Sequence, residues 1–375
     1  MGEYFGKNVP KLGFGLMRLP KLEDGVTIDV EQVKKMVDLF LASGFKYFDT
    51  AYVYDAGESE KAAKAALVDR YPRDSFYLVS KLNAGVAKNE EDAKNQLAVS
   101  LERTGAGYFD IYLLHAISDN NVDRYDKFHL WDFVKQAKAE GRIRHYGFSF
   151  HGTPELLDRL LTEHPDVDMV QLQINWADWE SAQVQAHRNY DVVAKHGKAV
   201  TVMEPIKGGT LANPPKQIEE LFKEAEPGAS SASWAIRYVA SKDRIITVLS
   251  GMSSLEQMQD NVSYMKNFRP LSDKEEEIIG KAQKILDGID KIACTGCHYC
   301  TPGCPKKIPI PDIFTAMNLD LIYGQLDRAK HEYAWATSHA GKASDCIHCR
   351  QCERMCPQHL PITTLLEQCA SKLEG

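Results

Sequence analysis

The fold class predicted by the sequence is a closed (β/α)8 TIM barrel followed by a small, mainly helical, cysteine-rich domain, and three observations predict it. Short β-branched or aromatic runs alternate with segments of helical period between residues 11 and 252, as repeated β/α units require. A charged, one-sided apolar helix at Leu271–Leu286 then closes the series. All nine cysteines lie beyond residue 293, where strand signals stop.

Taken in order, the strands are expected at Leu12–Leu16, Lys46–Ala51, Phe76–Leu82, Phe109–His115, Ile143–Phe150, Met169–Asn175, Ala199–Pro205 and Ile245–Met252. Eight strands with intervening helices match a closed parallel barrel of roughly 250 residues. The first amphipathic helix is expected at Asp29–Ser43. Thr153 before Pro154 reads as an N-cap and first helical position, and Ser254 with Gln257 as a capping box. The domain boundary falls near Gly288, giving a barrel over 1–288 and a second domain over 289–375, with short helices near Ile313–Leu321 and Leu326–Ser338. No repeat is legible beyond the β/α period and a doubled cysteine motif.

Of the 375 residues, 44% are apolar and 26% charged, enough to bury one large core and a small additional one. A net charge of −7 offers no electrostatic reason for nucleic acid or an anionic membrane as partner. No stretch reaches the roughly 18 apolar residues needed to span a bilayer. The first 20 residues lack a signal-peptide core, and Gly6 stands where myristoylation after Gly2 would want Ser or Thr. A soluble, cytoplasmic chain is expected, with no membrane insertion.

Cys294, Cys297, Cys300 and Cys304, followed by Pro305, have the spacing C-x2-C-x2-C-x3-C-P, and Cys346, Cys349, Cys352 and Cys356, followed by Pro357, repeat it. Three thiolates at this spacing hold corners of a cubane, and the fourth reaches the other cluster. Two [4Fe-4S] clusters are therefore expected, one on Cys294, Cys297, Cys300 and Cys356, the other on Cys346, Cys349, Cys352 and Cys304. Structural zinc prefers two ligand pairs to such triplets. Cys369 stands apart and reads as a buried apolar residue. The module resembles the two-cluster bacterial ferredoxins, with the wider motif separation of their helical relatives.

Four polar residues stand at or just after strand ends: Asp49 and Tyr54 in FDTAYVYDAGESE, Lys81 in YLVSKL and His115 in DIYLLH. Singly, each has a bland reading as a cap, a core ring, a rim charge or a structural histidine. Together they resemble the aldo/keto reductase signature, Asp-Thr-Ala-x-x-Tyr with a later strand-end Lys and His. Over residues 10 to 270 the resemblance implies carbonyl reduction, or the reverse alcohol oxidation, with NADP or NAD. Tyr54 would be the general acid/base, its phenol lowered from about 10 by Lys81. Asp49 would hold Lys81, and His115 would orient the carbonyl.

The same resemblance implies cofactor contacts. Ser149, within Gly147–Phe150, and Gln171 would hold the carboxamide. Glu204, Pro205, Ile206, Gly208 and Leu211 of EPIKGGTL would cover the pyrophosphate, and Gly251, Ser253, Gln257 and Asn261 would receive the adenosine phosphate. The chain departs from the pattern at Met203, where an aromatic ring usually stacks, at His151, and at Gly251 and Gln257, where cations usually meet a 2′-phosphate. Trp176 and Trp179 are placed to wall the substrate mouth or to pack.

Hydride carries two electrons whereas a [4Fe-4S] cluster exchanges one. A second reading therefore places a flavin in the barrel, passing electrons to the clusters and on to an electron-transfer protein. A third treats the chain as a non-catalytic cofactor-sensing or electron-transfer subunit.

Overall fold

The computed structural model describes residues 9–375; the readings made on Gly2 and Gly6 lie outside them. By internal packing the chain divides into two compact units. Of the described residues, one comprises 9–180, 184–212 and 228–276; the other comprises 181–183, 213–227 and 277–375.

The first unit is a closed barrel of eight parallel strands in sequence order. These are β1 (Leu12–Gly15), β2 (Tyr47–Asp49), β3 (Tyr77–Leu82), β4 (Phe109–Ile117), β5 (Ile143–Phe150), β6 (Met169–Gln173), β7 (Ala199–Met203) and β8 (Ile245–Ser250). The helices up to residue 287 are α1 (Val30–Ala42), α2 (Glu58–Ala63), α3 (Glu90–Thr104), α4 (Val122–Lys127), α5 (Leu130–Ala139), α6 (Pro154–Glu163), α7 (Ala186–Lys195), α8 (Lys216–Ala225), α9 (Ser231–Ala240), α10 (Leu255–Met265) and α11 (Asp273–Asp287), of which α8 and residues 277–287 of α11 fall in the second unit.

Local chemistry sets the helix starts. Asp29 Oδ1 accepts from Gln32 N at 3.0 Å at the head of α1, and Thr153 Oγ1 from Leu156 N at 3.3 Å ahead of Pro154. Ser254 caps α10 by accepting from Gln257 N. The capping box expected there is altered: Gln257 Oε1 accepts from Ser253 N at 2.7 Å instead of from the cap residue's own amide.

The strand period of two separates two apolar layers. On β2, Phe48 points outward onto Phe14 and Phe40, with ring centroids 6.2 and 5.2 Å away. Its neighbour Tyr47 joins Val79, Ile111, Leu113 and Met169 in a separate buried cluster. Asp49, Lys81, His115 and Gln171 share the parity of these four strands' clustered residues, so alternation alone puts them on one face at the strand ends. Glycine is required at one point on this ladder: a Cβ on Gly147 would stand 2.2 Å from the Met169 carbonyl oxygen.

The second unit holds α12 (Ile310–Tyr323), α13 (Leu326–Thr337), α14 (Gln351–Met355) and α15 (Ile362–Leu373). Its core is Ile308, Ile310, Ile313, Phe314, Tyr333, Leu366 and Cys369 with their neighbours. The doubling goes beyond the cysteines. With an offset of 52 positions, Lys307 N→Cys304 O (3.0 Å) matches His359 N→Cys356 O (3.1 Å), and Ile310 N→Ile308 O (2.9 Å) matches Ile362 N→Leu360 O (2.8 Å). Positive φ recurs at Gly296 and His348, at His298 and Arg350, and at Lys307 and His359. Close to the motifs the sequence repeats only Pro309 and Ile310, as Pro361 and Ile362, too little to mark the repeat beyond the cysteines. Among the described residues no helix is long and apolar enough to cross a membrane.

Candidate active site and cysteine cavities

Tyr54, Lys81, Asp49 and His115 converge at the C-terminal ends of β2, β3 and β4. Lys81 is fully buried and uses three donors: to Asp49 Oδ1 at 2.5 Å, to the Thr50 carbonyl at 2.7 Å and to Tyr54 Oη at 3.1 Å. The other carboxylate oxygen of Asp49 accepts from Gln171 Nε2 at 3.2 Å. Burial draws the Lys81 ammonium down, but Asp49 and Tyr54 outweigh it, and its pKa ends above the ordinary lysine value. Lys81 is thus a fixed cation.

Tyr54 behaves differently from the sequence expectation. Burial raises the phenol above its usual value; Lys81 opposes this without reversing it, and Asp49 and Glu204 add to the rise. The phenol is therefore neutral at pH 7. The expectation of a net lowering weighed the ammonium and not the desolvation.

His115 stands edge-on to Tyr54, with ring centroids 5.7 Å apart. Burial and then the Lys81 charge push its pKa well below that of a free imidazole, so the ring is neutral. Its Nδ1 is buried without a partner among the described residues. The ring is aimed by an irregularity: β4 shifts register between Leu114 and Ile117, Ala116 adopts φ 56°, and Ser149 Oγ accepts from Ala116 N at 2.7 Å. Bulges of this kind re-aim side chains next to sites.

Positive φ at non-glycine residues recurs on the same end of the barrel, at Asp55, Ala56, Ala116, Glu204 and Lys207. Such conformations cost about 1–3 kcal/mol each and persist where surrounding structure imposes them.

The expected cofactor residues are distributed unevenly. Ser149 and Gln171 are buried and already hydrogen-bonded, to Ala116 and Asp49. Glu204 is exposed, Pro205 and Leu211 are buried, and Ile206 and Gly208 are half-buried. Gly251 is exposed beside the stem of Arg18, 3.6 Å from where a Cβ would stand, while Ser253 Oγ donates to the Arg18 carbonyl at 2.7 Å. Asn261 is buried, donating to Ser250 Oγ at 2.8 Å. His151 is exposed. Trp176 is fully buried and packs instead of walling a mouth; Trp179 stacks on His187 at 4.5 Å with Lys242 Nζ over its ring.

Sequence reasoning missed a second network at the ends of β6 and β7. Lys207 Nζ donates to both oxygens of the buried Asp178, at 2.5 and 2.7 Å, and Asp178 also accepts from Asn175 Nδ2 at 2.9 Å. Asp178 lies between Trp176 and Trp179, and Lys207 within EPIKGGTL, both singled out above, but only the fold pairs them.

In the second unit, Cys294, Cys297, Cys300 and Cys356 line one cavity, and Cys304, Cys346, Cys349 and Cys352 another. Each thus takes three cysteines from one motif and the Cys-Pro cysteine of the other. Four thiols facing one cavity are the donor set of a cubane cluster. Among the described residues no three His, Cys, Asp or Glu side chains gather as tightly as a single ion needs. Cys369 is fully buried and its thiol is pushed up to about 12 by burial.

Comparison with known proteins accords with both halves. A model of the aldo/keto reductase family matches residues 11–284, and a model of a 4Fe-4S dicluster domain matches residues 293–360. An aldo-keto reductase of Mycolicibacterium smegmatis is 30% identical over 220 residues, 56% of this chain and 69% of that protein. The holo form of aldo-keto reductase AKR11C1 from Bacillus halodurans superposes with a TM-score of 0.60 at 25% identity, covering 73% of this chain and 92% of that one. An aldo-keto reductase from Klebsiella pneumoniae in complex with NADPH gives 0.58 at 22% identity, covering 73% and 90%.

Proposed function

The chain belongs to the aldo/keto reductase family, an oxidoreductase fused to a 4Fe-4S dicluster-type domain, and from that premise we propose that its barrel reduces a small carbonyl, or oxidises the corresponding alcohol, with Tyr54 as general acid/base. The observation that carries the reading is the reach of one buried ammonium, Lys81, to both Asp49 and Tyr54.

A nicotinamide cofactor, when bound, supplies the hydride. The chain's own residues manage the proton. Tyr54 is protonated at neutral pH and donates its phenolic proton to the carbonyl oxygen as charge develops there. Lys81 lies 3.1 Å from that phenol oxygen and stabilises the phenolate left behind. Asp49 neutralises Lys81 in a site where an unpaired ammonium would be costly. His115 stays neutral, and its ring, edge-on to Tyr54, would hydrogen-bond the substrate oxygen through Nε2. The reverse reaction needs the phenolate as base.

The expected cofactor positions fit in part. Ser149 and Gln171 would meet the carboxamide at their remaining hydrogen-bonding positions, and the segment from Glu204 to Leu211 would cover the pyrophosphate. The exposed Arg18 beside Gly251 supplies, from the end of β1, a cation that the segment from Gly251 to Asn261 lacks, and would meet a phosphate there.

In this reading the barrel carries the carbonyl chemistry and residues 289–375 hold two [4Fe-4S] clusters in the four-cysteine cavities. The clusters exchange single electrons with a redox protein or brace the small helical domain. Eight thiolate ligands suit a reducing compartment, the cytoplasm.

Replacing Tyr54 by Phe tests the assignment. We expect carbonyl reduction to fall about a thousandfold, with NADPH binding, followed by fluorescence, unchanged. Undiminished turnover by that variant would remove the role.

A further inference from the structure

The internal repeat of the cysteine domain makes its two cavities comparable position by position, and two of the positions that differ in their linings differ in charge. The cavity of Cys304, Cys346, Cys349 and Cys352 is lined by Lys306 and Arg350. Fifty-two positions away, the equivalents lining the cavity of Cys294, Cys297, Cys300 and Cys356 are Gln358 and His298. Outside the linings, Lys307 is matched by His359. Asp312, one residue past Pro311 of the lining, is matched by Thr364.

Two exchanges beside the cysteines run the other way: Asp345, next to Cys346, replaces Ala293, and Thr301 is replaced by Glu353, next to Cys352. The Glu353 carboxylate accepts from Thr363 N and Oγ1 at 2.9 and 2.7 Å and stands 3.8 Å from Arg350 Nε. Much of its charge is thereby balanced within the site.

Resting on the reading that each four-cysteine cavity holds a [4Fe-4S] cluster, we propose that Lys306 and Arg350 tune the two clusters apart, giving the one on Cys304, Cys346, Cys349 and Cys352 the higher reduction potential. One-electron reduction adds one negative charge to a cluster while no bond forms or breaks. A nearby fixed cation stabilises the reduced form, and a nearby carboxylate the oxidised form. Asp312 near one cavity and Asp345 beside the other offset each other, so the difference rests on the two cations, Lys306 and Arg350, that line only one of them. An electron entering the domain comes to rest on the cluster beside Lys306 and Arg350, and the other cluster serves as the relay.

The full chain, purified anaerobically, would be titrated with dithionite in the presence of mediators and followed by low-temperature EPR. Iron and acid-labile sulfide would be measured on the same samples. Two midpoints are expected. K306Q/R350H should lower the upper midpoint and leave the lower in place, whereas Q358K should raise the lower. Full iron and sulfide with a single shared midpoint, or with K306Q/R350H moving the lower midpoint or neither, would overturn the tuning and leave the cluster reading intact. Wild-type protein with iron and sulfide for fewer than two clusters would instead overturn the reading beneath it. If K306Q/R350H fails to load, Q358K decides alone: an upward shift of the lower midpoint supports the proposal, and no shift overturns it.

Discussion

Lys81 Nζ stands 2.5 Å from Asp49 Oδ1, and neither side chain has appreciable access to solvent. Each is the other's compensation for burial, and together they fix an ammonium 3.1 Å from the Tyr54 phenol. Removing one member of a buried pair strands the other, at a cost of about 3–5 kcal/mol.

Lys81→Met should therefore destabilise the barrel by about 3 kcal/mol or more, and much less in an Asp49→Asn background, as denaturant titration would show. It should also raise the Tyr54 phenol further, since Lys81 is what pulls it down. Alcohol oxidation needs the phenolate, so the pH at which that activity rises should move upward. An unmoved profile would separate Lys81 from the proton transfer.

His115 sets an acid-side dependence of stability. Its folded pKa lies well below the ordinary value of about 6.5. As pH falls through that ordinary value the unfolded chain takes up a proton that the folded chain refuses, so stability is present above it and is lost below. His115→Gln should flatten the fall in melting temperature between about pH 7 and pH 5.5. An equal slope in both proteins would count against a buried neutral imidazole.

The cavities predict how cysteine variants group. Cys356→Ser should produce the same deficit in cluster spectrum as Cys294→Ser, although Cys356 belongs to the second motif, and Cys304→Ser should match Cys346→Ser. Grouping by motif instead would show that each motif keeps its own fourth ligand.

The closed barrel was legible because alternation in YLVSKL or FDIYLLH specifies which side chains share a face, and strand order follows from the β/α period. The shared face of Lys81, Asp49 and His115 was legible for the same reason, whereas Tyr54, past the end of β2, was legible through the aldo/keto reductase signature. What the sequence withheld depends on distant backbone. Ser149 reaches Ala116 only because β4 bulges beside β5, Arg18 reaches Gly251 only because β1 closes against β8, and Lys207 meets Asp178 across two strand ends. The net rise of the Tyr54 phenol was hidden too, since desolvation depends on how completely the barrel end is covered.

The central claim is direct transfer of hydride beside a proton held by Tyr54, with no detour through the iron-sulfur domain. It is tested by mass spectrometry of the alcohol formed from a reducible carbonyl and NADPH deuterated at C4, with the full chain kept anaerobic. We predict one deuterium on the carbinol carbon of the product. Product formed at the same rate with only solvent hydrogen at that carbon would contradict the account and point to electrons arriving singly.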